Sequence, residues 1–124
     1  MENKLLAVVD DEKVFHLIVG MYIKQNNSSF KLNSFYNGEE IFNYLSDQNN
    51  PPPSLIFLDL NMPILNGWGF LEKYSEIQDQ FNDLSIYLVT SSIDPEDKKK
   101  AESYDFVKGF VSKPLPVEFL KSLL

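Results

Sequence analysis

Four polar clusters in this chain of 124 residues each stand where an apolar run stops. Asp10 and Asp11 follow residues 5–9, Asp59 follows residues 55–58, Thr90 and Ser91 close residues 86–89, and Lys113-Pro114 follow a run ending at Ser112. Short apolar runs of this kind read as strands. In an open parallel sheet every strand ends at the same edge, and ligands bind in the crevice there. Segments distant in sequence then deliver three carboxylates, a hydroxyl and an ammonium to one place. That set suits a hard divalent cation, which takes oxygen ligands, together with a phosphoryl group. Each cluster also has a plainer reading. Asp10 and Asp11 would serve as a helix N-cap with favourable dipole charge, and Lys113 as a solvated lysine beyond a strand. Their joint occurrence at strand ends is what favours a site.

The elements that must hold them there follow from short apolar runs alternating with helix-period segments, the pattern of an α/β fold with a parallel sheet. After residues 5–9, Val14, Leu17, Ile18 and Met21 recur at helical intervals. Asn26, Asn27, Ser28 and Ser29 break that helix. Residues 30–36 form a second strand, more alternating than the others, as an edge strand is. Asn37-Gly38 makes a turn, and Ile41, Tyr44 and Leu45 mark a short second helix. Residues 47–54, with prolines at 51, 52 and 53, form a stiff loop. Residues 55–58 are apolar without alternation, which predicts a central strand covered on both faces. A loop through Pro63 and Gly67 leads to a third helix with Phe70, Leu71, Tyr74 and Ile77 on one stripe. Strand four spans 85–90; Asp94 caps and Pro95 opens a fourth helix. Strand five spans 107–112, and a last helix runs from Pro116 to Leu124. Five β/α units with right-handed crossovers give a three-layer sandwich.

Bulk properties bound the rest. The length is that of one domain, and 44% hydrophobic residues with no membrane-length run is ordinary globular composition. The N-terminus lacks the basic region and cleavage site of a signal peptide, and there is no cysteine for disulfides or zinc–thiolate chemistry. Cytoplasmic residence is the economical expectation. The net charge is −7, arginine is absent, and the one basic run, Lys98, Lys99 and Lys100, is flanked by acids. Nucleic acid is therefore not an expected partner.

Taken in order, Asp10 and Asp11, Asp59-Leu-Asn61-Met62-Pro63, Gly67, Thr90-Ser91 and Lys113-Pro114 resemble the receiver domain of bacterial response regulators, the CheY-like family of two-component signalling. The resemblance covers residues 1–124 as one domain. It implies a flavodoxin-like, doubly wound sheet of five parallel strands in the order 2-1-3-4-5 with five helices, and a ligand site at the switch beside strand one. It also implies that Asp59 takes a phosphoryl group from a histidine kinase or a His-phosphotransfer protein, with Mg2+ as cofactor.

The resemblance assigns further roles. Asp11 binds the metal directly, Asp10 mainly through a water, and Asp59 and the Asn61 backbone carbonyl complete the protein's share. Lys113 meets a phosphoryl oxygen as a mobile point charge, and its bond to Pro114 is cis. Thr90 hydrogen-bonds the phosphoryl group and moves toward it, Ser91 leaves the entry path open, and Phe110 turns inward when Thr90 moves. Asn61 and Ser92 hold the two positions that set phosphoryl lifetime. His16 is expected to be a satisfied or solvent-facing helix residue, and Trp68 surface packing.

Signalling then requires a population shift between two states, read by a partner protein. The family's usual output surface is helix four, strand five and helix five, through which the chain would act as a monomer or weak dimer. Val117, Leu120 and Leu124 form one stripe of the last helix with Phe119 and Leu123 beside it, either a docking surface or simple core. That helix is short and has no polar tail, compatible with a natural chain that continues beyond Leu124. Two other readings stay open. A haloacid-dehalogenase-like phosphatase also uses an aspartyl nucleophile, magnesium and a lysine, but wants an acid where Asn61 stands. A phosphate-independent pseudo-receiver usually loses one acid or the lysine, and none is lost here.

Overall fold

The computed structural model describes residues 4–124. Five strands, β1 (Lys4–Val9), β2 (Phe30–Phe35), β3 (Leu55–Leu58), β4 (Ser85–Thr90) and β5 (Val107–Ser112), alternate with five helices. These are α1 (Lys13–Gln25), α2 (Gly38–Ser46), α3 (Gly67–Ser75), α4 (Pro95–Ala101) and α5 (Val117–Leu123), with a short 3-10 turn at Gln78–Gln80. All strand pairs are parallel, in the order β2-β1-β3-β4-β5. This is the doubly wound, flavodoxin-like arrangement that the sequence pattern and the resemblance both imply. The chain reverses its winding between β1 and β3, which opens a crevice at their C-terminal ends.

Alternation along the strands builds a core on each face. From β1, Leu6 and Val8 point toward α1 and α5, where Phe15, Val19 and Leu120 cover them. Ala7 and Val9 point the other way, toward Ile41 and Leu45 of α2 and Phe70, Leu71 and Tyr74 of α3. β3 repeats the pattern with Leu55 and Phe57 on the first face and Ile56 and Leu58 on the second. All four of its residues are buried. Burial of one such side chain stabilises by about 1.5–3 kcal/mol, so β1 and β3 are the rigid centre on which the site is mounted.

Helix α1 departs from the simplest reading of its spacing. Val14, Leu17, Ile18 and Met21 all face solvent, each more than half exposed. The buried face carries Phe15, His16 and Val19 instead. Apolar residues surround most of this helix, so periodicity finds the helix without choosing its inner side. In α5, Leu120 is buried and the Phe119 ring packs on Phe57 and Tyr87, whereas Val117 stays exposed. The flank that could have been docking surface or core is therefore mostly core.

Candidate functional site

Hydrogen bonds that extend the sheet by one rung set the backbone of three site residues. Asp10 N donates to Phe35 O at 3.0 Å, Asp59 N to Val9 O at 2.9 Å, and Lys113 N to Thr90 O at 2.9 Å. Thr90 is itself the last residue of β4, paired with Ser112. The crevice is thus lined by residues one step past the end of strands whose register is fixed by the core.

The loop after Asp59 is closed by backbone contact. Gly67 N donates to Leu60 O at 2.9 Å. A Cβ on Gly67 would overlap the Asp59 carbonyl oxygen and sit 2.9 Å from Leu60 Cα. Only glycine lets the start of α3 lie against the residue that follows β3. The Asn66 side chain accepts from Gly69 N at 2.8 Å and caps that helix.

Asp10 and Asp59 are buried, at 1% and 6% exposure, and Asp11 is exposed. One carboxylate oxygen from each of the three lies within 4.8 Å of the others. Lys113 Nζ sits 2.5 Å from Asp10 Oδ2 and 3.4 Å from both Asp59 Oδ2 and Glu12 Oε1. The ammonium also stands 4.7 Å from the centre of the Phe15 ring, a face that attracts a cation. Asp59 Oδ1 accepts from Leu60 N at 2.8 Å.

Charge balance decides what the crevice can hold. Burial, and then the neighbouring Asp10 charge, push the Asp59 pKa above its usual 3.8. Lys113, the Leu60 N–H and the Thr90 hydroxyl pull it back in part. Burial alone would lower the Lys113 pKa, but its hydrogen bond to Asp10 and the charges of Asp59, Asp10 and Glu12 outweigh that and raise it. Three carboxylates, those of Asp10, Glu12 and Asp59, therefore face one ammonium, with Asp11 close to two of them. The donors nearest one another are all oxygens, without histidine or thiolate, which is the ligand chemistry of a hard divalent cation. The residues fit such an ion.

Around this centre, Thr90 is fully buried and its Oγ1 accepts from Ser92 N at 3.2 Å. The Ser92 hydroxyl donates to Asp97 Oδ2 in α4. Phe110 is half-buried against the core of the α2–α4 face. The Lys113–Pro114 peptide is cis, and Asn61 lies exposed in the loop two residues past Asp59. His16 is buried and hydrogen-bonded at both ring nitrogens. Trp68 stacks on Tyr104 and lies beneath the Lys100 ammonium at 4.5 Å, so its packing joins α3 to α4. Sequence reasoning missed Glu12 and Phe15 as neighbours of Lys113. The third acid of the Asp-Asp-Glu run was the available signal for Glu12; nothing in the sequence marks Phe15.

Comparison with known proteins agrees with this fold. A family model described as "Response regulator receiver domain" matches residues 6–124. A crystal structure of a two-component response regulator from Cytophaga hutchinsonii superposes with a TM-score of 0.82 at 28% identity, covering 99% of this chain and 95% of that one. The Mn(2+)-bound form of the response regulator Rcp1 shares the fold, with a TM-score of 0.80 at 23% identity over 97% and 88% of the two chains. Among curated sequences, hybrid signal transduction histidine kinase D of Dictyostelium discoideum is 27% identical over 78% of this chain. Sensory transduction protein LytT of Oceanobacillus iheyensis is 27% identical over 68% of it. The chain spans only 6% and 32% of the lengths of those two relatives.

Proposed function

The chain belongs to the response regulator receiver domain family, and from that premise we propose that Asp59 is its phosphoacceptor, loaded with Mg2+ present. A receiver is a signalling domain of two-component systems, and its acidic pocket takes a divalent metal. The observation that carries the finer reading is the convergence of Asp10, Asp11 and Asp59 within 4.8 Å beside the Lys113 ammonium.

Asp59 attacks as a carboxylate, so a new P–O bond forms to one of its oxygens while the donor's P–N bond breaks. The electron pair stays on the donor imidazole nitrogen, which is neutralised by a proton. Repulsion between the buried carboxylate and the phosphoryl oxygens opposes this step. Asp10, Asp11, Asp59 and the Asn61 carbonyl would hold the Mg2+, which when bound would supply positive charge against that repulsion. Lys113 supplies a mobile counter-charge for a phosphoryl oxygen. Thr90 then moves to donate its hydroxyl hydrogen to the phosphoryl group, and Phe110 takes the space vacated. Ser92 and Asn61 tune hydrolysis by what they place near the phosphorus. The same arrangement makes the domain catalyse only its own phosphorylation and dephosphorylation.

A histidine kinase or His-phosphotransfer protein is the donor. The exposed apolar side chains Val14, Leu17, Ile18 and Met21 of α1, the helix that begins beside the crevice, offer it a surface. The output partner is a protein that reads α4, β5 and α5, with the chain monomeric or weakly dimeric there. The net charge of −7 disfavours nucleic acid, and the cytoplasm, where such donors present phosphohistidine, is the compartment this implies. Among the described residues no helix is long and apolar enough to cross a membrane.

The test is intact-protein mass after incubation with Mg2+ and acetyl phosphate. Gain of one phosphoryl group in the wild type, lost with EDTA and absent in Asp59→Asn, is the expected result. No gain, with beryllofluoride binding also absent, would leave a phosphate-independent receiver fold.

A further inference from the structure

We propose that His16 is a positioning residue of the metal site, acting on Asp10 from behind; this rests on the metal-binding reading above. Asp10 is 1% exposed, and each of its polar groups is held by a different part of the chain. Its N–H goes to Phe35 O of β2 at 3.0 Å. Its Oδ1 accepts from Glu12 N at 2.9 Å, and its Oδ2 faces Lys113. The remaining group is the backbone carbonyl, which lies past the last β1–β2 pair and has no strand partner. A buried carbonyl left unpaired is costly. His16 Nε2 meets it at 2.7 Å.

The second ring nitrogen fixes which proton the imidazole carries. A carbonyl can only accept, so Nε2 bears the hydrogen. Nδ1 then presents a lone pair, and Ser34 Oγ of β2 lies 2.9 Å from it as the donor. Tyr36, the residue that follows β2, lies against the ring at a tilt of 35° with centroids 4.6 Å apart. His16 is the only histidine in the chain. It does not reach the ligand oxygens; it bolts the end of β1 to β2 through the residue whose carboxylate faces the metal. Groups that orient a ligand commonly change metal affinity when removed, and action through the backbone places this one at the lower end of that effect.

A core-filling histidine and a positioning one separate on two substitutions. His16→Gln keeps a donor near the place of Nε2 but loses the Ser34 contact. His16→Asn keeps a polar group near Nδ1 but cannot reach the Asp10 carbonyl. Mn2+ affinity is read by electron paramagnetic resonance of the free ion, beside thermal unfolding in EDTA. Expected are similar losses of unfolding temperature in both variants, with Mn2+ affinity down about tenfold in His16→Asn and within about threefold of wild type in His16→Gln. Equal affinities in the two variants overturn the proposal. Wild type that does not bind Mn2+ at all strikes the metal-site reading and this inference with it. A measurement that needs no variant is the imidazole 15N spectrum, in which the single histidine is unambiguous. The Nε2–H tautomer is expected, and the Nδ1–H tautomer overturns the proposal.

Discussion

Lys113 Nζ lies 2.5 Å from Asp10 Oδ2 but 3.4 Å from Asp59 Oδ2. The cation of the crevice is thus held more closely by the buried Asp10 than by Asp59. In the phosphotransfer proposed above it would loosen from Asp10 to follow the phosphoryl group, and a divalent ion held by Asp10 would compete for the same carboxylate.

Lys113→Ala removes the one ammonium facing Asp10, Glu12 and Asp59. We expect a loss of about 2–4 kcal/mol of stability in EDTA at neutral pH, the cost of leaving a buried acid without its partner. Mg2+ should restore part of it, so the rise in unfolding temperature on adding the ion should exceed that of wild type. An equal rise in both proteins would mean that Lys113 and the metal do not share a carboxylate.

Asp59 has a folded pKa above its usual 3.8, set first by burial and then by the Asp10 charge. A raised acid contributes its full stability below the unfolded pKa and loses it as pH climbs through the folded one. Asp59→Asn never ionises, so it should be the more stable protein at neutral pH in EDTA, by about 1–2 kcal/mol. Urea titrations at several pH values should show the gap closing as pH falls toward 3.8. A gap independent of pH would assign the effect to packing instead.

Two glycines should respond with opposite sign. In Gly67→Ala the new Cβ meets backbone at Asp59 and Leu60, which cannot step aside, so a loss of about 2–4 kcal/mol is expected. In Gly20→Ala, inside α1, the Cβ meets only the flexible end of Leu32 at 3.4 Å. Better helix propensity should there give a gain of about 0.5–1 kcal/mol. Chemical denaturation of the pair decides; destabilisation of both would show that α1 cannot tolerate a methyl against β2.

The chain's single tryptophan should report the switch. Trp68 of α3 lies beneath Lys100 of α4 and stacks on Tyr104, while the Thr90 hydroxyl is tied to α4 through Ser92 and Asp97. Adding Mg2+ and beryllofluoride should change Trp68 emission in wild type and leave it unchanged in Thr90→Ala. A silent tryptophan in wild type that binds beryllofluoride would break the proposed link from Thr90 to α4.

The same aromatic patch has a quieter signature. Tyr104 is pushed up to about 12 by burial and by its hydrogen bond to Glu72. Absorbance titration of Glu72→Gln should bring one phenol back toward its ordinary range, because the facing charge is gone while the burial remains.

The sequence by itself determined the five β/α units and the residues at the strand ends. Short apolar runs such as residues 55–58, bounded by turn residues, read as strands covered on both faces, and where such a run stops the next polar residue faces the open edge. Asp10, Asp59, Thr90 and Lys113 were legible for that reason. The inner side of α1 was not. Val14, Leu17, Ile18 and Met21 have the same helical spacing as a core stripe, and packing against β1 and β2 chose Phe15, His16 and Val19 instead. That Lys113 lies closer to Asp10 than to Asp59 was equally hidden, as was the seat of His16 under the Asp10 carbonyl. Spacing along a chain specifies which way a residue faces on its own element. Which carboxylate an ammonium reaches, or which carbonyl an imidazole satisfies, depends on how residues as far apart as 10 and 113 are brought together by the sheet, and only the folded register supplies that.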